Sequence, residues 1–259
     1  MPMAFFRPDR PLNLAHRGAS RWAPENTLAA FRLALEQGAD GFELDVHLSR
    51  DGVPVVVHDA DLSRTTNGRG RVSERTVAEL KALDAGAWFH PRFAGERIPT
   101  LAEVFAAFGD RARYNIELKT FSARDDGLVR AVVETVRRYG LGGAVLISSF
   151  NPLALRRAWR LAPEIPRGLL IAPDLPLPLR RAWLAPLAPH HARHLHASMI
   201  DGATVQACRR RGYAVVAWTV NAPEEMQRLI RLGVAAIITD DPAALRACLE
   251  EAGRGREAC

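Results

Sequence analysis

The feature that most constrains this chain is a repeated switch of hydrophobic period. Short runs rich in β-branched and aliphatic residues alternate with longer runs of helical period. The runs that read as strands are Leu12–His16, Gly41–His47, Tyr114–Leu118, Ala144–Ser149, Gly168–Ile171, Leu195–Ser198, Tyr213–Val220 and Ala235–Thr239. Helical patterns lie between most of them, at Glu25–Gln37, Leu101–Phe108, Asp125–Tyr139, Pro152–Leu161, Asp201–Arg211, Pro223–Leu232 and Pro242–Glu250. Several open with a capping residue before a first-turn proline, as in Asn151-Pro152 and Asp241-Pro242, and Gly140, Gly212 and Gly233 stand at helix stops. Eight strands in βα alternation within 259 residues is the arithmetic of an α/β fold of the (β/α)8, or TIM, barrel type. The competing doubly wound sheet would need a glycine-rich GxGxxG turn, and none follows the first strand.

One stretch breaks the rhythm. Ser49-Arg50-Asp51-Gly52 carries a turn signal, and Val53–Val57 follows too closely to be a parallel neighbour of the strand before it. Residues 41–58 therefore read as a β-hairpin. With the turn centred near Arg50-Asp51, Glu43 falls opposite His58 and Asp45 opposite Val56, which places Glu43, Asp45 and His58 on one side. Beyond it come a polar loop, a short helix at Val77–Leu83 and an aromatic patch at Trp88-Phe89. Residues 46–97 or so are expected to form an inserted cap, too poor in apolar residues for an independent core, within one barrel domain spanning 1–259. The tail Gly253–Cys259 is expected to fray.

Composition removes several function classes. With 48% hydrophobic and 25% charged residues the chain is neither disordered nor a disulfide scaffold. No run approaches the roughly 18 apolar residues of a membrane span, so no stable membrane insertion is expected. Arg and Pro interrupt the N-terminus where a secretion signal carries its apolar core. Cys208, Cys248 and Cys259 are scattered and form no CxxC, which fits a reducing cytoplasm. The net charge of +6 comes from dispersed arginines. Their short clusters, such as Arg209-Arg210-Arg211, sit on amphipathic helices as solvated faces, without the interleaved aromatics of single-strand binders. A nucleic-acid partner is not expected, whereas a cationic surface favours small anionic substrates. The oligomeric state is left open, a homo-oligomer included.

In a barrel, chemistry sits at strand C-terminal ends. Those ends carry His16-Arg17, Glu43 and Asp45, His58-Asp59, Glu117 and Lys119, Ser149-Phe150, Trp218-Thr219 and Thr239-Asp240-Asp241. Residues two apart on a strand share a face, so Glu43 and Asp45 point inward if Phe42 and Leu44 pack outward, and Glu117 follows the same parity. Three inward carboxylates repel one another unless a cation lies among them, and oxygen ligands select Mg²⁺ or Ca²⁺ over zinc. A metal-free network with Arg17 and Lys119 is the alternative. His16 and His58 are the natural acid and base, since imidazole titrates near neutrality. Arg17 offers a fork for phosphate oxygens. Lys119 is a compact cation beside Glu117; of the 35 Lys and Arg residues only it and Lys81 are lysines. Phe150 and Trp218 are candidates for an apolar wall. His47, His90, His190, His191, His194 and His196 read as structural, the last four as a loop and strand edge.

These residues carry a resemblance. His16-Arg17-Gly18, Pro24-Glu25-Asn26-Thr27, Glu43-Leu44-Asp45, His58-Asp59, Arg64-Thr65-Thr66-Asn67-Gly68, Glu117-Leu118-Lys119, Trp218-Thr219-Val220-Asn221 and Thr239-Asp240-Asp241-Pro242 occur in order along nearly the whole chain. In this series the chain resembles the glycerophosphodiester phosphodiesterase family. The resemblance implies a TIM barrel that hydrolyses glycerophosphodiesters to sn-glycerol 3-phosphate and an alcohol. It implies one divalent ion held by Glu43, Asp45 and Glu117, with His16 as base, His58 as acid, and Arg17, Lys119, Phe150 and Trp218 contacting substrate. The nucleophile is either water or the glycerol 2-hydroxyl, the latter giving a cyclic phosphate. Lysophospholipid cleavage and a silent phosphate-binding barrel are the alternatives. Residues 173–194 resemble the family least.

Overall fold

The structure, a computed structural model, describes residues 5–7 and 9–257. Its strands are β1 (Leu12–His16), β2 (Gly41–Leu48), β3 (Pro54–Val56), β4 (Arg113–Leu118), β5 (Val145–Ser149), β6 (Arg167–Ile171), β7 (Ala192–His196), β8 (Ala214–Trp218) and β9 (Ala236–Thr239). All but β3 pair in parallel in the order β1-β9-β8-β7-β6-β5-β4-β2, and β1 also pairs with β2, which closes the barrel. The helices are α1 (Leu28–Glu36), α2 (Val77–Lys81), α3 (Leu101–Phe108), α4 (Leu128–Arg138), α5 (Pro152–Leu161), α6 (Leu177–Arg180), α7 (Gly202–Arg210), α8 (Pro223–Leu232) and α9 (Pro242–Glu257). The TIM-barrel expectation and its capping insertion after the second strand are therefore met.

The period of two along each strand sorts side chains into two layers. Phe42, Leu44 and Val46 on β2 and Tyr114, Ile116 and Leu118 on β4 join the core between strands and helices. There Phe42 meets Phe108 of α3 edge-on, with centroids 5.2 Å apart. Leu12, Leu14, Leu146, Val216 and Ile238 fill the barrel interior together with Phe5 and Phe6. With the apolar residues of β2 and β4 turned outward, Glu43, Asp45, Asn115 and Glu117 have only the interior to face.

Several boundaries differ from the sequence expectation. The hairpin closes through a longer loop: Ser49 N donates to Val53 O at 3.0 Å, and Gly52 holds φ +80°. The register is thus Val46 opposite Val56, with Val57 N bonded to Asp45 O, one residue off the expected pairing. A one-residue slip turns the expected face of His58 over. His58 reaches the site because β3 ends at Val56 and the chain turns, its carbonyl held by His47 Nε2 at 2.9 Å. The seventh strand begins three residues earlier than expected, at Ala192, and stops where a 3-10 turn starts at Ala197. His194 is consequently not at an edge but fully buried inside the barrel. Helix α1 starts at Leu28 rather than Glu25, because Asn26 adopts φ +58° and Thr27 caps the helix by accepting from Ala30 N. The C-terminal helix runs through Gly253 to Glu257, and residues 258–259 of the tail expected to fray lie outside the described residues. Residues 173–194 contribute the unforeseen short helix α6.

The cap holds more apolar packing than its composition suggested. Val55, Val57, Leu62, Val72, Leu80, Ala85 and Ile98 form a cluster separate from the main core. Helix α2, with a Thr76/Glu79 capping box, is tied to α3 by Lys81 Nζ, which donates to both oxygens of Glu103 at 2.6 and 2.7 Å. Lys81 therefore has a structural partner away from the strand ends. Among the described residues no helix is long and apolar enough to cross a membrane.

Candidate active site

Closure of the barrel brings the ends of β1, β2, β4, β5, β8 and β9 around one chamber of about 130 Å³. His16, Arg17, Glu43, His58, Glu117, Lys119, Phe150 and Trp218 all line it. Asp45, only 1% exposed, is buried alongside. The residues singled out from the sequence thus occupy one place.

The three carboxylates are all buried. Among the described residues, Glu43, Asp45 and Glu117 form the cluster able to converge on an ion, with one oxygen of each within 4.8 Å of the others. Lys119 Nζ lies 2.9 Å from Glu117 Oε1 and 3.5 Å from Asp45 Oδ1, and Arg17 Nε lies 3.2 Å from Asp45 Oδ2. Two cations therefore serve three acids, and neither bonds Glu43. Burial, reinforced by Asp45 and Glu117, pushes the Glu43 carboxyl well above its usual range. Burial also raises Glu117 to about 7, against the pull of Lys119. For Asp45 burial acts in the same sense, but Arg17 and Lys119 outweigh it and hold the acid ionised. Glu43 Oε2 and Asp45 Oδ1 are buried without a hydrogen-bond partner. Orphaned acceptors in an acidic oxygen cluster fit a hard divalent cation. The metal-free network with Arg17 and Lys119 leaves Glu43 out.

Each histidine is held by a carboxylate, His16 by one from the far end of the chain and His58 by its own neighbour. His16 Nδ1 donates to Asp240 Oδ1 at 2.6 Å, which leaves Nε2 for the chamber. Asp240 also accepts from Ser20 Oγ at 2.9 Å and Asn221 Nδ2 at 2.6 Å. Burial opposes its ionisation, yet these bonds hold it down at about 2. His58 Nδ1 donates to Asp59 Oδ1 at 2.5 Å, and the other oxygen of Asp59 accepts from Arg64 Nε. Arg64 then grips Glu25 with two bonds of 2.8 Å, and Glu25 accepts from Arg17 Nη1 at 2.9 Å. Burial, with Arg17 and Lys119 nearby, lowers the His58 pKa against the pull of Asp45 and Asp59.

Local backbone geometry makes these contacts possible. Arg17 adopts φ +55°, a conformation that costs a non-glycine residue energy and persists only where surroundings enforce it. Gly18 follows at φ +86°, and a Cβ there would lie 2.7 Å from Ala30. The same tight loop lets Asn26 Nδ2 donate to Asp45 Oδ2 at 2.9 Å. Phe150 and Trp218 meet edge-on at 5.6 Å as the apolar wall. A groove of about 960 Å³ opens beyond His58 and Lys119, between the cap and the segment 119–128.

The partners Asp59, Asp240, Glu25, Arg64 and Asn115 were not singled out as site residues from the sequence. Two carried a readable signal: Asp240 follows Ile238 by two, and Asn115 precedes Glu117 by two, so strand parity turns both inward. His47 and His190 have backbone partners, and His90 caps a 3-10 turn.

Comparison with known proteins agrees with this geometry. The model of the glycerophosphoryl diester phosphodiesterase family matches residues 16–244. A glycerophosphodiester phosphodiesterase of Caldanaerobacter subterraneus is 43% identical over 237 residues, covering 91% of this chain and 96% of the relative. One from Bacillus subtilis is 32% identical, covering 91% and 85%. An Oleispira antarctica phosphodiesterase, solved with the product sn-glycerol-3-phosphate, superposes with a TM-score of 0.84 at 37% identity, covering 93% of this chain and 97% of that one. The matched span opens at His16 and includes every residue of the chamber, and the chain belongs to the glycerophosphoryl diester phosphodiesterase family of enzymes.

Proposed function

We propose that this enzyme hydrolyses glycerophosphodiesters to sn-glycerol 3-phosphate and an alcohol, using His16 and His58 as its proton-transfer pair. The observation that carries this reading is the pair of imidazoles, each anchored through Nδ1 to a carboxylate, flanking an acidic cluster beside Arg17 and Lys119. Phosphate binding alone would need the cations but no anchored acid–base pair.

Glu43, Asp45 and Glu117 would hold one divalent ion, Mg²⁺ or Ca²⁺, consistent with their orphaned oxygens. Such an ion supplies charge neutralisation to a phosphate oxygen. Arg17 and Lys119 add fixed positive charge where negative charge grows in the transition state. The glyceryl unit lies in the small chamber against Phe150 and Trp218, and the alcohol extends into the larger groove. His58 lines both spaces, so it stands where the leaving oxygen departs.

The asymmetry behind the imidazoles supports the division of labour. Among the described residues, the Asp240 carboxylate bonds His16 and otherwise only the neutral donors Ser20 and Asn221, so its charge remains free to stabilise an imidazolium. His16 therefore takes the proton of the attacking oxygen as a new P–O bond forms. Behind His58 the charge of Asp59 is shared with Arg64, which makes His58 the readier donor. It gives its proton to the alcohol oxygen as the ester P–O bond breaks. With water attacking, the products are glycerol 3-phosphate and the free alcohol. Attack by the glycerol 2-hydroxyl would expel the same alcohol with the same two residues, proximity in its favour, and leave a cyclic phosphate that water then opens to glycerol 3-phosphate.

A small-molecule phosphodiester is the proposed partner, and a reducing compartment the proposed setting, in keeping with the free, buried Cys208 and Cys248. The deciding experiment is release of glycerol 3-phosphate from glycerophosphocholine, with and without EDTA, followed by Mg²⁺ or Ca²⁺ add-back. Loss on chelation and recovery with one ion is expected. A folded protein inactive under every condition overturns the reading.

A further inference from the structure

We infer that Asn115 is a specificity residue that recognises a hydroxyl of the glyceryl unit. The inference rests on the reading of the chamber as a glycerophosphodiester site, but it concerns a residue that this reading does not use.

Asn115 lies on β4 between the outward-packed Tyr114 and Ile116, which turns its side chain into the barrel. Its register partner on β2 is Glu43, so the two side chains are neighbours on one face. Asn115 is 1% exposed, lines the chamber, and neither its Nδ2 nor its Oδ1 has a hydrogen-bond partner. Glu43 Oε2 beside it is equally unpartnered. A buried amide with both ends unsatisfied is rare in folded proteins, because the lost hydration is not repaid. The surroundings sharpen the point, since Phe150, Leu170, Trp218 and Ile238 give this chamber apolar walls.

The kind of ligand follows from what the two ends need. A cation would satisfy Oδ1 and leave the Nδ2 donors unpaired. A phosphate oxygen would satisfy Nδ2 and leave Oδ1 and the Glu43 oxygen facing an anion. Alcohol hydroxyls do both: the oxygen of one accepts from Nδ2 while a hydroxyl proton goes to Oδ1. Among the parts of a glycerophosphodiester, the hydroxyls of the glyceryl unit meet this need, and a chamber of about 130 Å³ suits a three-carbon polyol. Recognition of this type discriminates strongly, because an analogue lacking the hydroxyl leaves the buried amide unpaired.

The test compares sn-glycerol 3-phosphate with the phosphates of propane-1,3-diol and propane-1,2-diol, each lacking one hydroxyl. Affinities are measured by calorimetry on the wild type and on Asn115→Leu, which keeps the shape and removes the amide. The wild type is expected to bind glycerol 3-phosphate at least about 10-fold more tightly than one of the two analogues. Asn115→Leu is expected to abolish that preference while its affinity for Mg²⁺ or Ca²⁺ stays within about 2-fold. Equal binding of all three ligands by the wild type overturns the inference and needs no folded variant. If Asn115→Leu does not fold, Asn115→Ala takes its place. A preference that survives the substitution, or a cation affinity that falls with it, also overturns the inference, placing Asn115 behind the carboxylates instead. Hydrolysis of glycerophosphocholine, run in parallel, separates the two readings. Turnover without hydroxyl discrimination removes only the role of Asn115, whereas absence of turnover removes the proposed activity.

Discussion

Asp240 of the last strand end sits 2.6 Å from Nδ1 of His16 at the end of the first strand, a contact between residues 224 positions apart. That contact makes the imidazole a directed group, since Nδ1 is committed and Nε2 is left for chemistry.

Removing the charge of Asp240 while keeping its shape tests this role. Asp240→Asn should lower kcat on glycerophosphocholine by on the order of 10²-fold or more, with KM little changed, as expected when a half-buried partner no longer stabilises an imidazolium. Asp59→Asn should cost less, because Arg64 already neutralises part of its charge. Steady-state kinetics on both variants, with melting curves as a folding control, check the order. A reversed order would exchange the roles of His16 and His58.

Substitution of the imidazoles themselves is the direct test. His16→Ala and His58→Ala should each lose about 10²–10⁴-fold in kcat with the fold intact. Turnover near that of the wild type in both would remove the acid–base assignment.

The acidic cluster predicts a particular pH dependence of stability in the metal-free protein. Burial raises Glu43 well above its usual range and Glu117 to about 7, so their folded-state values exceed their unfolded ones. A carboxyl raised in this way binds its proton more tightly when folded. Stability is then lost as pH rises from the ordinary carboxylate range towards neutrality. In the chelated protein this contribution is present at pH 5 and lost by pH 8, against half-buried His191 and buried His194, whose lowered pKa values of about 4 and about 3 act in the opposite sense, and Mg²⁺ or Ca²⁺ should raise the melting point more at pH 8. Glu43→Gln should flatten the first trend and weaken cation binding by at least about 10-fold. Scanning calorimetry in EDTA and isothermal titration with each ion measure both.

Arg64 joins the cap to the barrel loop through Glu25 and Asp59. Its side chain is 43% exposed, so solvent weakens the pair, and Arg64→Ala should cost only about 1 kcal/mol in stability. Activity should fall by more than that figure suggests, because Asp59 and Glu25 lose a shared anchor. A denaturant titration alongside kcat and KM separates the two effects, and unchanged kcat would show that the clamp does not orient His58.

Much of this was legible from the chain alone, and for one reason. A strand has a period of two, so Phe42, Leu44, Tyr114 and Ile116 packing outward left Glu43, Asp45 and Glu117 no direction but inward. Alternation of strand and helix determined the barrel in the same way, because parallel strands need crossovers. Local pattern was silent where pairing depends on loop geometry or on weak strand formers. Asp51-Gly52 suits either a two- or a three-residue loop, and the choice shifted the hairpin register by one. Ala192-Arg193-His194 lacks β-branched residues, yet neighbours on both sides draw it into the sheet.

The sequence by itself determined the fold class and the inventory of chemical groups, since both follow from periodicity and residue type. Tertiary structure alone decided who holds whom: His16 with Asp240, Arg17 between Asp45 and Glu25, His58 with an aspartate clamped by Arg64, and Asn115 beside Glu43 with nothing to bond. The first of those pairings arises when closure of the barrel sets β1 against β9, and the others from loop conformation and the pairing of β2 with β4, neither of which residue type or period encodes.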